Sequence, residues 1–208
     1  MQLIYGTTNP AKIAFMKKRV EPLGIKLVSL SEVNAPNIDI AETGNNPSEN
    51  ARIKSLAYYR VLQMPVFSCD SGLYIEGLDD TRQPGVHVRN VNGNRLDDHE
   101  MIAYYSTLAA EHGGRLKARY RNGICLVINE SHICEYMGED IASEPFYLVA
   151  KPHDKRRAGF PLDSLSVHIE SGKYYHDTAG RGEKYCDSTD GFTAFFQQEL
   201  NKLKVVKA

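Results

Sequence analysis

The residues able to do chemistry fall in a few short stretches. Asp70-Ser71-Gly72 sits between two apolar runs, Val66-Phe67 and Leu73 to Ile75, ahead of a loop closed by Pro84-Gly85. At a strand end, a carboxylate and a hydroxyl project from a rigid edge while glycine lets backbone approach a ligand closely. The same triplet is ordinary turn chemistry, and taken alone this stretch favours an Asx-type turn in a hairpin. A second stretch is Thr7-Thr8-Asn9-Pro10-Ala11-Lys12, where Asn9 sits at an N-cap position and Pro10 at the first helical one. Free N–H groups, the positive helix end and the Lys12 charge would together attract an anion. The G-x-x-x-x-G-K pattern of a Walker loop is missing, and a plain βα turn fits equally well. The third group is Glu42, in a Thr-Gly loop, with Glu49, Asn50 and Lys54 on a following helix. A solvated helical face with one salt bridge is the ordinary reading of those last three.

Composition limits what can position these groups. The chain has 208 residues, 42% hydrophobic and 25% charged, enough for a substantial core. A formal net charge of −1 provides no global field for nucleic acid or an anionic membrane, and neither is expected as a partner. The four cysteines show no C-x-x-C spacing, which favours reduced thiols over disulfides or zinc. No apolar stretch approaches the roughly 18 residues of a membrane span, and no signal-peptide core is present. The expectation is a soluble, cytoplasmic protein.

Periodicity then supplies the elements. Met1 to Tyr5 reads as a strand, and Ile13, Met16, Val20 and Leu23 as one face of a helix ended by Gly24. Ile25 to Leu30 reads as a second strand. A helix from about Ser48 turns Ala51, Leu56, Tyr59 and Leu62 inward. Arg95 to His112 predicts a helix with a buried stripe of Leu96, Met101, Tyr104, Tyr105 and Leu108, stopped by Gly113-Gly114. Arg115 to Ile128 alternates, with Leu116, Ala118, Tyr120, Ile124, Leu126 and Ile128 on one face and a basic row of Arg115, Lys117, Arg119 and Arg121 on the other. That row reads as a solvent-facing surface sooner than a phosphate site. One or two strands follow between His132 and Val149, and a final helix runs from about Gly191 to Val205 with Phe192, Phe195, Phe196, Leu200 and Leu203 packed inward. The sum is one α/β unit over 1–208 with an antiparallel or mixed sheet and flanking helices.

Four segments in order resemble the inosine triphosphate pyrophosphatase family, the XTP/dITP diphosphatases. They are Thr7 to Lys12; Glu42-Thr43-Gly44 with Glu49-Asn50-Ala51 and Lys54; Asp70-Ser71-Gly72-Leu73 with Pro84-Gly85-Val86 and Arg89; and Gly159-Phe160 with Asp163. The second and third are the most specific, and the likeness covers nearly the whole chain. The resemblance implies an elongated α/β sheet with two lobes around a central cleft, usually a homodimer. It implies Mg²⁺-dependent hydrolysis of a non-standard nucleoside triphosphate between the α- and β-phosphorus. By similarity, Thr7, Asn9, Lys12 and Lys54 would hold the triphosphate, with Lys12 and Asp70 catalytic and Asp70 handling the attacking water. Glu42 and Asp70 would hold Mg²⁺. Ser71 and Gly72 would contact phosphate or sugar, Phe160 would stack on the base with Asp163 at its edge, and Lys184 and Ser188 would complete the substrate site. Hydrolysing a polyanion needs cations on the phosphate oxygens and a group to position water, and these residue types meet that need.

The chain departs from the family pattern at several points. Cys69-Asp70 stands where paired acids are usual, Phe15 where a glutamate is common, and Gly159-Phe160-Pro161-Leu162-Asp163-Ser164 where Gly-Phe-Gly-Tyr-Asp-Pro is. Ser188-Thr189-Asp190 replaces the Ser-His-Arg that reads a 6-keto purine. Neither Thr nor Asp can imitate the arginine fork, so base preference stays open while the phosphate half keeps its pattern. The alternative is a catalytically weak, nucleotide-binding sensor or partner-binding protein on the same fold.

Overall fold

A computed structural model describes residues 1–157, 159–178 and 191–205. Nine strands and four α-helices alternate along them: β1 (Gln2–Tyr5), α1 (Pro10–Val20), β2 (Lys26–Ser29), α2 (Pro47–Leu62), β3 (Val66–Ile75), β4 (Asn90–Val91), β5 (Asn94–Arg95), α3 (Asp98–Glu111), β6 (Arg115–Asn129), β7 (His132–Tyr136), β8 (Phe146–Val149), β9 (Ser166–His168) and α4 (Gly191–Val205). Seven strands form a mixed sheet in the order β2-β1-β3-β6-β8-β9, with β7 paired to β6, while β4 and β5 make a small separate ribbon. The expected α/β fold with a mixed sheet and flanking helices is thus present. The chain divides into two compact units.

The first unit takes Met1–Ser71, Asn122–Ile141 and the described part of Ser188–Ala208. β1 pairs in parallel with β2 and with β3, and the second half of β6 pairs antiparallel with β7. Successive side chains of a strand leave opposite faces, and here both faces are buried. Leu3, Tyr5, Phe67, Ile124 and Leu126 pack with Met16 of α1 and with Phe192, Phe195 and Phe196 of α4. Ile4, Val66, Cys125 and Val127 pack instead with Ala51 of α2. The alternation expected throughout β6 therefore holds only from Arg115 to Ala118; Arg119 to Arg121 are all half-buried, and Asn122 to Val127 is buried on both sides. On α2 the fully buried positions are Pro47, Asn50, Ala51 and Ser55; Leu56, Tyr59 and Leu62 are only half-buried.

The second unit comprises Gly72–Arg121 and the described part of Ala142–Asp187. β8 pairs antiparallel with the first half of β6 and with β9. Helix α3 covers these strands, burying Met101, Tyr105 and Leu108 against Leu73, Ile75, Leu116, Phe146 and Leu148. Tyr104, expected in that stripe, is exposed. The helix also starts three residues later than the predicted Arg95, because Asp97 and Glu100 form a reciprocal capping box and Arg95 belongs to β5. Of the basic row, Arg115 lies over the Tyr147 ring and Lys117 pairs with Glu76.

Candidate active site

Strand β3 runs unbroken from Val66 to Ile75, so Asp70-Ser71-Gly72 is not the turn expected of it but the middle of a strand. Gly72 has a local reason to lack a side chain: a Cβ there would stand 3.0 Å from the Gly85 carbonyl, beside the bridge between Leu73 and Gly85. Cys69 and Asp70 leave opposite faces of the strand. Cys69 joins the buried cluster beneath α1, where burial pushes its thiol up to about 12. Asp70 emerges among polar partners.

Both oxygens of Asp70 are held. Lys54 Nζ donates to Oδ1 at 2.7 Å and Asn50 Nδ2 to Oδ2 at 3.2 Å. Lys54 and Asn50 come from one face of α2, and both are tied to the preceding loop as well. Lys54 Nζ also donates to Glu42 Oε2 at 3.0 Å, and Asn50 Oδ1 accepts the Gly44 N–H at 2.8 Å. Gly44 is required by this approach, since a Cβ would lie 2.6 Å from Glu49 Cβ and 2.7 Å from Asn50 Oδ1. The solvated-face reading fails for Asn50 and Lys54, which are 3% and (in the side chain) 13% exposed. It describes Glu49, whose carboxylate accepts from Asn45 N and Asn46 Nδ2 at the helix start.

Lys12 completes the group from α1. Burial, and then the Lys54 charge, lower it from the ordinary lysine value, with Asp70, Cys69 and Glu42 opposing. Among the described residues its ammonium makes no hydrogen bond or ion pair. Burial also works against Lys54, yet Asp70 and then Glu42 bring its net value above the ordinary one. Asn9 caps α1 as expected, its Oδ1 accepting from Ala11 N and Lys12 N. The cap therefore takes up the helix-end N–H groups that were expected to face a ligand. What remains for an anion is the Lys12 ammonium and the Asn9 amide N–H₂. Thr7 Oγ1 accepts from Asn9 N at 3.2 Å and so fixes this loop.

Ser71 Oγ donates to Asn122 Oδ1 at 2.6 Å, and Asn122 Nδ2 donates to the Ile141 carbonyl at 2.6 Å. Asn122 and the supporting role of Asn50 were not anticipated. Asn122 had a signal, a lone amide in an otherwise apolar central strand, where a buried polar group must find partners.

Gly72, Phe160 and Asp163 belong to the second unit. Phe160 precedes the short 3₁₀ turn Pro161–Leu165, half-buried, with the Arg157 guanidinium 4.3 Å from its ring centroid. Arg157 also stands 3.6 Å from Asp163 Oδ2. The turn before Phe160 is pinned by Asp98, at the start of α3. Its Oδ2 accepts the Gly159 N–H at 2.8 Å and its Oδ1 accepts from Arg89 Nη2 at 2.7 Å. The Gly159 bond and then Arg89 hold the Asp98 carboxyl below its usual range. Lys184, Ser188, Thr189 and Asp190 lie outside the described residues.

Glu42 and Asp70 are hard oxygen donors sharing one cation as partner, which suits a small divalent ion such as Mg²⁺. With two ammonium groups beside them, the set can gather phosphate charge and position water.

Comparison with known proteins gives the family. The Ham1 family model matches residues 3–143, a span holding Lys12, Glu42, Lys54, Asp70 and Ser71. The chain is 33% identical over 138 residues to a dITP/XTP pyrophosphatase of Rhodopseudomonas palustris, covering 64% of either protein. It is 30% identical over 176 residues to a dITP/XTP pyrophosphatase of Bacillus subtilis, covering 78% of this chain and 87% of that one. The match thus spans less than two thirds of the Rhodopseudomonas protein's length. In fold, it resembles the Staphylococcus aureus Ham1 protein at a TM-score of 0.71 and 20% identity, over 96% of this chain and 100% of that one. A HAM1 protein from Coxiella burnetii aligns at 0.69 and 23% identity over 100% of both chains. The resemblance read from the sequence is borne out: the chain belongs to the Ham1 family.

Proposed function

We propose that the chain is a Mg²⁺-dependent nucleoside triphosphate pyrophosphatase, hydrolysing the bond between the α- and β-phosphorus to release a monophosphate and pyrophosphate. The observation carrying this reading is the meeting of Lys12, Glu42, Lys54 and Asp70, contributed by α1, a loop, α2 and β3. The dITP/XTP pyrophosphatases among its relatives support a triphosphate with an altered purine as substrate. In the same reading residues 1–208 act as one catalytic domain, cytoplasmic and assembled as a homodimer.

Glu42 and Asp70 are the carboxylates that would hold Mg²⁺, which when bound neutralises charge on the phosphate oxygens. Asp70, aimed by Asn50 and Lys54, orients the attacking water and accepts its proton. Lys12 and Lys54 meet the charge that develops on the transferring phosphorus group, and Asn9 donates its amide to the phosphate chain. Ser71, its proton committed to Asn122, offers an acceptor oxygen and Gly72 close backbone. In the same reading Phe160 and Asp163 recognise the base, and Lys184 and Ser188 are further substrate-binding residues.

One observation favours the sensor reading. The position beside Asp70 is a neutral, buried thiol, so this strand carries a single carboxylate there. Incubation with Mg²⁺ and a panel of standard, deaminated and pyrimidine triphosphates separates the two. The expected result is pyrophosphate and monophosphate from at least one member. Saturable binding without turnover on any member would select the sensor, and orthophosphate as the sole first product would contradict the bond assignment.

A further inference from the structure

A second group of chemically able side chains shares no residue with the Lys12–Asp70 set. His132 and Cys134 lie two apart on β7, so both project from one face of the strand. Glu199 of α4 meets them there. Its Oε2 accepts from Cys134 Sγ at 2.9 Å and stands 3.2 Å from His132 Nε2. The three donor atoms all lie within 4.8 Å of one another. The Glu199 side chain is 5% exposed and that of His132 23%, and Cys134 packs against the core formed by Phe192, Phe195 and Phe196.

We infer that His132, Cys134 and Glu199 form a binding site for a divalent ion of intermediate softness, zinc being the best match. Imidazole nitrogen, thiolate sulfur and carboxylate oxygen are the three donor types zinc takes, whereas magnesium takes oxygen almost alone. Ligand atoms about 2.0–2.3 Å from a tetrahedral ion stand roughly 3.5 Å from each other, and Glu199 Oε2 already stands 2.9 Å from Cys134 Sγ and 3.2 Å from His132 Nε2. The fourth position goes to water. On binding, a metal–sulfur bond replaces the S–H···O bond from Cys134 to Glu199, and the thiol proton leaves to solvent. Lys202 Nζ holds the other oxygen, Oε1, at 2.6 Å, leaving Oε2 for the ion while its own charge opposes a dication. The ion would fasten the C-terminal helix to strand β7 and so stabilise the folded chain in proportion to its occupancy.

The test uses the full chain, stripped of metal and titrated with Co²⁺, whose thiolate charge-transfer absorption reports sulfur ligation. One equivalent is expected to raise that band, Zn²⁺ to abolish it, and excess Mg²⁺ to leave it; Zn²⁺ should also raise the melting temperature. Cys134→Ser should lose the band and weaken Zn²⁺ binding by at least about tenfold. Cys186→Ser should keep both, and Lys202→Ala, at a 51% exposed side chain, should bind Zn²⁺ more tightly. Should Cys134→Ser fail to fold, His132→Gln reads the same loss of affinity. A band surviving in Cys134→Ser, a band lost in Cys186→Ser, or no band in the unaltered chain would each overturn the assignment.

Discussion

Lys12 and Lys54 carry the same charge in the same site, yet their surroundings drive them in opposite directions. Lys54 touches two carboxylates, which outweigh its burial and hold its proton above the ordinary value. Lys12 is half-buried without such a contact, and the Lys54 ammonium makes its own charge less favourable. An unpaired cation of this kind is satisfied by an incoming anion. The sign of the shift sets a pH dependence: Lys12 loses its proton below the ordinary lysine value of 10.5. kcat/KM for a triphosphate should therefore fall on the alkaline side below that pH. Lys12→Arg, which keeps its charge throughout, should move that limb upward. A limb unmoved in Lys12→Arg would assign it to another group. The sequence spacing identified Lys12 and its cap, because capping is local. It could not identify the burial of Asn50, since which helix face meets the Gly44 loop is decided by tertiary packing, not by residues one turn apart.

Elements whose limits are set by neighbouring residues were legible: Asn9-Pro10 starts α1, Gly113 and Gly114 at positive φ end α3, and the phenylalanines of α4 turn inward. The start of α3 was legible too, in Asp97 and Glu100, but the apolar stripe drew the expectation back to Arg95. Strand β3 was harder to read because Asp-Ser-Gly is turn chemistry. Here the ladder continues through it since Gly72 permits the approach of Gly85 and Asp70 finds its partners on α2. The Asp98 contact is likewise tertiary, joining α3 to Gly159 across 61 residues of sequence. Because the Asp98 value is lowered on folding, its contribution is complete above the ordinary carboxylate value and is lost as pH falls through the lowered one. At neutral pH, Asp98→Ala should speed hydrogen exchange of the Gly159 amide by about tenfold, with little change at Lys12 or Asp70. Unchanged exchange at Gly159 would mean the turn is held by other contacts.

Across the whole molecule, the expectation was one domain over 1–208 with two lobes, and the contacts divide the chain into two compact units, each built from separated stretches. Periodicity cannot show this, because β3 and β6 each run continuously through the boundary between the units. Among the described residues no helix is long and apolar enough to cross a membrane. The charged group of four, by contrast, comes from segments that the sequence resemblance had already picked out, and they meet within one unit. That meeting is the centre of the account, and Asp70→Asn tests it most directly because the change preserves shape while removing the charge. With Mg²⁺ and the best triphosphate of the panel, pyrophosphate release should fall at least about 100-fold while nucleotide binding stays within a few-fold. Release at the unaltered rate from a correctly folded Asp70→Asn chain would contradict the account.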